Sequence, residues 1–183
     1  DQSHPHWWTN KYYQGVVPEN SIDKGIFSIY ILNIVHVNKY QGIYQGAGLL
    51  HAYLEGQNIE LMANSDNVLR GGLTPKHIDI EELIKHIHFE PTYPAVLNGD
   101  SINAHELVYP CPAPDFGLSK IGLNRGESYT INTKSLEMLL ITKGELVIDG
   151  ALYKAGEVAM VTASEELDMI ANMDSVVFKS FVP

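Results

Sequence analysis

The sequence of 183 residues (20.4 kDa) is 45% hydrophobic and 19% charged, which is the composition of a folded globular protein. Twelve basic and twenty-two acidic residues give a net charge of −10, which disfavours nucleic acid and anionic membranes as partners. No apolar run approaches the ~20 residues of a membrane span, no signal sequence opens the chain, and Cys111 is the single cysteine. We therefore expect a cytoplasmic protein, and the start at Asp1 without a methionine suggests a part of a longer one.

The first half of the chain is predicted to contain an aromatic segment followed by strands. Residues 1–20 show no clear period, and we interpret them as the remnant of an upstream helical region. Residues 26–37 are rich in β-branched and aromatic side chains, which predicts a buried strand. Residues 43–54 and 59–63 are predicted as further strands, separated by a Glu-Gly turn.

One helix is predicted, over residues 79–88. Asp79 followed by Glu82 forms an Asx variant of the capping box. The apolar side chains recur at helical spacing and share one face: Ile80, Leu83, Ile84 and Ile87. The proline-rich residues 91–112 then predict an extended crossover rather than a packed element.

Short strands separated by turns are predicted from Phe116 to the end of the chain. The candidate strands are residues 116–118, 129–131, 136–142, 145–149, 158–161, 167–170 and 176–181. Many short strands at nearly regular spacing favour a sandwich or a jelly roll.

The segment 45–54 carries the first residue that could perform chemistry, His51. In jelly-roll barrels of the cupin type, a Pro-x-Gly-x-x-His run places a metal-binding imidazole inside the barrel. Here Gly48 and His51 fit, and Gly46 stands where the proline would be. Glycine permits a tight turn that would aim His51 inward, and a neutral imidazole suits zinc. The alternative is a core histidine bonded to the backbone, and this short pattern taken alone favours that alternative.

A longer stretch, residues 60–77, closely resembles the signature of the type I mannose-6-phosphate isomerases (phosphomannose isomerases). The runs His51-Ala-Tyr-Leu-Glu-Gly and Gly25-Ile-Phe-Ser match the two family stretches that precede it. The resemblance covers residues 23–90 and is weaker over 116–183. It implies a mainly β fold of cupin-type jelly-roll barrels, with two β-rich units and one short helix.

The resemblance also implies a domain organisation. Residues 1–20 would be the helical remnant, 21–90 the C-terminal part of a catalytic cupin barrel, 91–112 the crossover, and 113–183 a C-terminal jelly roll without a metal site. Because family members are longer than this chain, we expect it to be the C-terminal part of such an enzyme.

The activity implied by the resemblance is the zinc-dependent interconversion of mannose 6-phosphate and fructose 6-phosphate, so the expected partner is a small sugar phosphate. His51 would be a zinc ligand, with the other ligands upstream of this chain. Gln2-Ser-His4-Pro5 formally fits the family's Gln-x-His run, but it is better explained as a helix start with Pro5 near the N1 position. Arg70 and Glu60 would be catalytic, and the substrate-binding residues would be Tyr53, Asp66 and Lys76.

Several roles remain open at the level of the sequence. Arg70 suits either a grip on the phosphate or stabilisation of an enediolate, and without the resemblance a structural arginine would be preferred. Glu60 suits either the base or a residue that orients another group. The alternative function is a non-catalytic cupin-type module that binds sugars or regulates another protein. The pattern of Arg70, Asp66 and Lys76 favours the enzyme.

Overall fold

The computed structural model describes residues 1–14, 22–65 and 67–183. The helices in these ranges are α1 (Pro5–Tyr12), a 3₁₀ helix (Lys24–Phe27), α2 (Ser28–Ile31) and α3 (Ile80–His86). The strands are β1 (Gly42–Ile43), β2 (Val96–Leu97), β3 (Asp100–Ser101), β4 (Glu106–Tyr109), β5 (Gly117–Leu123), β6 (Ser128–Asn132), β7 (Glu137–Lys143), β8 (Glu145–Ile148), β9 (Ala151–Lys154), β10 (Val158–Val161), β11 (Glu166–Ala171) and β12 (Ser175–Phe181). The protein is mainly β, as predicted. None of the helices in the described ranges has the length and apolar character that crossing a membrane requires.

The chain divides into two units. The first comprises Asp1–Lys39, Gln45–Asn58 and Ser65–Ala95, and the second comprises Tyr40–Tyr44, Ile59–Asn64 and Val96–Pro183. Among the described residues, every strand belongs to the second unit, and the first contains helices joined by irregular segments. The assignment of 21–90 to a catalytic barrel stays a prediction.

The second unit is built from two antiparallel sheets that share one core. The larger sheet has the order β10-β7-β12-β5-β4-β3 and the smaller has β6-β11-β8-β9, while β1 pairs with β2 alone. Burial alternates along β5 and β11, so one face of each sheet is apolar and turned inward. The most deeply buried core side chains come from both sheets: Ile121, Leu139, Ile141, Leu146, Met169 and Val177. The strands predicted from residue 129 onward are confirmed. The one predicted over 116–118 corresponds only to the start of β5, and β9 is an additional strand.

A polar cluster lies inside this unit around the buried carboxylate of Glu106. Its Oε1 accepts a hydrogen bond from Ser119 Oγ at 2.5 Å and lies 2.9 Å from Lys179 Nζ, and its Oε2 accepts one from Tyr129 Oη at 2.6 Å. Burial by itself would raise the pKa of Glu106, but these three hydrogen bonds outweigh it and hold that pKa below its ordinary value. Burial and the neighbouring carboxylate raise the pKa of Tyr129 to about 12, so its hydroxyl remains a donor.

Replacing Tyr129 by phenylalanine is expected to lower the free energy of unfolding by about 1.5–3 kcal/mol, since Glu106 would stay buried without one of its donors. The loss should be present at neutral pH. The pKa of a glutamate in the unfolded chain is about 4.3, and that of Glu106 in the folded protein is lower. The loss should therefore disappear as the pH falls from about 4.3 through the folded pKa, because this stabilisation requires the ionised carboxylate. Urea unfolding at several pH values measures it.

The matched control is Tyr153→Phe, because Tyr153 is half-buried against the same core and its hydroxyl makes no hydrogen bond with a described residue. We expect this control to lie within about 0.5 kcal/mol of the wild type. Equal stability of the two variants would contradict the account of the cluster.

The predicted strand over residues 26–37 is wrong. Asp23 caps a 3₁₀ helix at its start, where its carboxylate accepts a hydrogen bond from Gly25 N–H, and α2 follows directly. The buried side chains are Ile26 and Ile29, which are three residues apart and so lie on one face of a helical turn. The sequence correctly predicted buried apolar side chains in this segment, but they recur at the spacing of a helix and not of a strand.

The predicted strands over residues 43–54 and 59–63 are also wrong, apart from Ile43 at the end of β1. The register of β1 with β2 extends over two residue pairs, and the remaining residues of both segments are irregular. Strand formation depends on a partner more than on side-chain preference, and these segments have no strand partner in the described parts of the chain.

The segment 91–112 is not a simple crossover, because it contains β2, β3 and β4. Strand β4 pairs with β5 over four residues and buries Glu106 and Tyr109. The predicted helix is confirmed as α3, with Asp79 Oδ1 accepting the Glu82 N–H at 3.0 Å. The predicted helix start at Pro5 is confirmed in α1, in which Pro5 is the first residue. Residues 15–20 of the predicted helical remnant lie outside the described residues.

Candidate active site

The turn that precedes His51 is held by the C-terminal end of α3. Gly48 adopts a positive φ of 78°, and the His88 N–H donates a hydrogen bond to its carbonyl oxygen at 3.0 Å. A Cβ at Gly48 would lie 2.7 Å from the carbonyl oxygen of His86, so only glycine fits here. This hydrogen bond thereby fixes the position of the backbone that leads into residues 49–51.

The His51 side chain is exposed and bonded to the backbone. Its Nδ1 lies 2.9 Å from the carbonyl oxygen of Leu49, and since a carbonyl only accepts, Nδ1 carries the proton. This tautomer leaves the lone pair of Nε2 free to bind a metal ion. The ring of Tyr53 meets the imidazole edge-on, with centroids 6.3 Å apart. The expectation that a strand aims His51 into a barrel is wrong within this chain, because the segment is irregular and the ring is exposed.

Arg70 lies half-buried in a loop that runs alongside the His51 segment. Ser65 Oγ accepts a hydrogen bond from Asn67 N–H at 3.1 Å, and Gly72 has a φ of 139°. A Cβ at Gly71 would lie 3.6 Å from Leu50 Cδ2, which is ordinary van der Waals contact. The residues adjacent to Arg70 and to His51 are therefore neighbours in space.

The other predicted site residues are exposed, or belong to the second unit, or fall outside the described residues. Tyr53 is 59% exposed, and Lys76 is exposed in a turn in which its N–H bonds to Thr74 Oγ1 at 3.2 Å. Glu60 is exposed and belongs to the second unit. Asp66 lies outside the described residues. Of the predicted set, the first unit thus holds His51, Tyr53, Arg70 and Lys76.

The described residues do not form a complete zinc site. In the ranges 1–14, 22–65 and 67–183, no group of three or more histidine, cysteine, aspartate or glutamate side chains could hold a metal ion. Zinc takes three or four protein ligands. His51, with its free Nε2, fits one of these ligand positions, and the set would need further donors.

Asp23, which is not among the predicted site residues, connects the start of the 3₁₀ helix to the Arg70 loop. One carboxylate oxygen accepts a hydrogen bond from Gly25 N–H at 2.7 Å and the other accepts one from Leu73 N–H at 3.0 Å. A signal was present in the sequence, since an aspartate two residues before a glycine is a common local cap. Its second partner, fifty residues away, leaves no such local pattern.

A cavity of about 350 Å³ lies in the second unit and contains none of the predicted site residues. It lies among β8, β9, β10 and β11, and its polar lining residues include Asp149, Tyr153, Thr162 and Glu165. Nothing in the chemistry of this lining points to a reaction.

Comparison with known proteins identifies relatives of this chain, although no protein-family model matches it. The chain is 39% identical to mannose-6-phosphate isomerase from Salmonella typhimurium over 165 residues, which are 87% of this chain and 41% of that protein. It is 37% identical to mannose-6-phosphate isomerase from Escherichia coli, over 94% of this chain and 42% of that protein. The chain therefore spans 41–42% of the length of these two relatives.

The similarity extends to the fold. A crystal structure of a lysine-to-alanine variant of phosphomannose isomerase from Salmonella typhimurium matches 94% of this chain, and this chain covers 44% of that one. The TM-score is 0.74 at 32% sequence identity. A histidine-to-alanine variant of the same protein gives a TM-score of 0.73 at the same coverage and identity. The predicted cupin-type fold is confirmed by this similarity.

Proposed function

Since the chain is homologous over most of its length to the mannose-6-phosphate isomerases, we propose that it is the C-terminal part of a zinc-dependent isomerase. The reaction is the interconversion of mannose 6-phosphate and fructose 6-phosphate, and the partner is a small sugar phosphate. The observation that carries the proposal is the proximity of the segments of His51 and Arg70, since a Cβ at Gly71 would lie 3.6 Å from Leu50 Cδ2. The proposed metal ligand His51 and the cation Arg70 thus belong to neighbouring segments of one unit. The low cysteine content agrees with a cytoplasmic location.

The reaction explains why these residue types are needed. An aldose–ketose isomerisation moves a proton between adjacent carbons through an enediol, so it requires a base, an electrophile at the oxygens and a grip on the phosphate. Arg70 is permanently charged and presents a planar fork of donors, which suits a phosphate or the oxygens of an enediolate. Its half-buried position strengthens that interaction, because water screens it less.

The remaining residues take supporting roles in this proposal. Lys76 is a second cation for the phosphate, and Tyr53 and Asp66 contact the sugar. Glu60 is the base or orients the base. His51 would hold zinc through Nε2, and bound zinc would supply a Lewis acid that polarises the substrate oxygens. The other ligands would come from outside this chain.

Exposed apolar side chains in the first unit support the proposal that the chain is part of a larger protein. Phe27 is 61% exposed, Ile31 78%, Phe89 73% and Tyr93 84%. Exposed apolar side chains of this size, concentrated in one unit, favour burial by another segment or protein. The apolar face of α3 contributes Ile80 and Ile84 to the same exposed set.

The test is a coupled isomerase assay on the complete protein that contains this chain. We expect it to form fructose 6-phosphate from mannose 6-phosphate, to lose that activity when a chelator removes the metal, and to regain it with zinc. Absence of turnover in the zinc-loaded protein, with sugar phosphate still bound, would replace the isomerase by the binding module. Activity that persists unchanged in metal-free protein would contradict the zinc dependence.

A further inference from the structure

Asp23 connects two segments of the first unit that are far apart in sequence. Its Oδ1 accepts a hydrogen bond from Gly25 N–H at 2.7 Å, and its Oδ2 accepts one from Leu73 N–H at 3.0 Å. Both carboxylate oxygens are therefore used, one for a local helix cap and one for the loop that carries Arg70. Bonds of a backbone N–H to an ionised carboxylate are stronger than those between neutral groups.

The same two segments are in direct backbone contact. A Cβ at Gly72 would lie 2.6 Å from Gly25 Cα, and a Cβ at Gly25 would lie 2.7 Å from the Leu73 nitrogen. Gly72 also has a φ of 139°, which side chains rarely allow. The close approach therefore requires glycine on both sides, and it lies two residues beyond Arg70.

The loop itself has little means of holding Arg70 in place. Gly71 and Gly72 follow Arg70 directly, and glycine is the residue with the greatest backbone freedom. A bond from outside the loop is needed to select one conformation. Leu73 N–H, three residues after Arg70, donates such a bond to Asp23 Oδ2.

We propose that Asp23 is a positioning residue, which fixes the backbone of the Arg70 loop through Leu73 and thereby sets the place of the Arg70 guanidinium. This inference rests on the proposed function, in which Arg70 touches the substrate. Displacing a catalytic group by about 1 Å costs up to about 10²-fold in rate. Asp23 therefore acts on turnover without contacting the substrate.

The test compares Asp23→Asn with Asp79→Asn in the complete enzyme. Asparagine caps a helix as well as aspartate, so Asp23→Asn keeps the local cap and loses the acceptor for Leu73 N–H. Asp79 is also a capping aspartate, which accepts the Glu82 N–H at 3.0 Å and bonds to no other described segment. We expect kcat to fall about 10- to 100-fold in Asp23→Asn, and the Asp79→Asn control to stay within about twofold of the wild type. Near-wild-type kcat in Asp23→Asn would overturn the proposal.

A double-mutant cycle separates positioning from general destabilisation. If Asp23 acts through Arg70, then adding Asp23→Asn to Arg70→Ala should lower kcat by less than about twofold, because the two changes remove the same interaction. A full second loss in the double variant would mean that Asp23 acts elsewhere, which would overturn the proposal.

Hydrogen exchange over residues 70–76 tests the clamp, that is, the hydrogen bond from Leu73 N–H to Asp23, independently of activity. We expect faster exchange in Asp23→Asn than in the wild type, and no change there in Asp79→Asn. Unchanged exchange in Asp23→Asn would overturn the clamp even in an active enzyme. An inactive wild type with faster exchange in Asp23→Asn would instead remove the proposed isomerase and keep the clamp.

Discussion

Replacing Arg70 by alanine in the complete enzyme is expected to lower kcat/KM by about 10²–10³-fold, the usual cost of removing one preorganised charge-stabilising donor. The fold should be kept, because Arg70 is only half-buried and forms no ion pair with a described residue. Coupled isomerase kinetics measure the loss, with the melting temperature as the check on folding.

The way the loss divides identifies the role of Arg70. A rise in KM at constant kcat would assign Arg70 to the phosphate in the ground state, and an equal fall in kcat and kcat/KM would assign it to the transition state. The matched control is Arg125→Ala, since Arg125 is an exposed arginine in the turn between β5 and β6. Kinetics of Arg70→Ala that equal those of Arg125→Ala would remove Arg70 from the active site.

Replacing His51 by alanine is expected to remove zinc binding and activity together. Losing even a partner of a metal ligand lowers metal affinity by about 10- to 100-fold, and losing the ligand should exceed this range. Metal analysis after gel filtration and the coupled assay measure the two effects.

The control for His51 is His36→Ala, because His36 is an exposed imidazole of the same unit outside the candidate site. It should retain both zinc and activity. Tight zinc binding that survives His51→Ala would contradict the assignment of His51 as a ligand.

Most of the strands beyond Phe116 could be predicted because their signals are local. Along β11, buried Leu167, Met169 and Ala171 alternate with exposed residues, and this period of two is visible in the sequence. The turns were predictable as well, since Gly144 and Gly150 mark them in the sequence and adopt the positive φ values, 84° and 80°, that favour glycine. The start of α3 was predictable for the same reason, as its cap lies within one turn.

The strands predicted in the first half of the chain are wrong because a run of β-branched residues indicates burial but does not specify a neighbouring strand with which to pair. Ile26 and Ile29 are buried as expected, but they lie on helical turns. Residues 44–54 have no neighbouring strand among the described residues, so no partner is present for the backbone hydrogen bonds of a sheet.

The candidate site was predictable in its residue types and not in its assembly. The glycine pattern before His51 and the arginine in the signature stretch are local features. The hydrogen bonds that hold each segment in place are not local, since they link Gly48 to His88 and Asp23 to Leu73 across long stretches of chain. Such pairs leave no local period or spacing in a single sequence.

The most direct test of a shared site for His51 and Arg70 is a crystal structure of the complete enzyme with zinc and mannose 6-phosphate, with anomalous differences recorded at the zinc edge. The account predicts a zinc peak bonded to His51 Nε2 and the bound sugar phosphate within hydrogen-bond distance of the Arg70 guanidinium. A zinc peak with His51 outside its ligands, or a sugar phosphate bound away from Arg70, would contradict it.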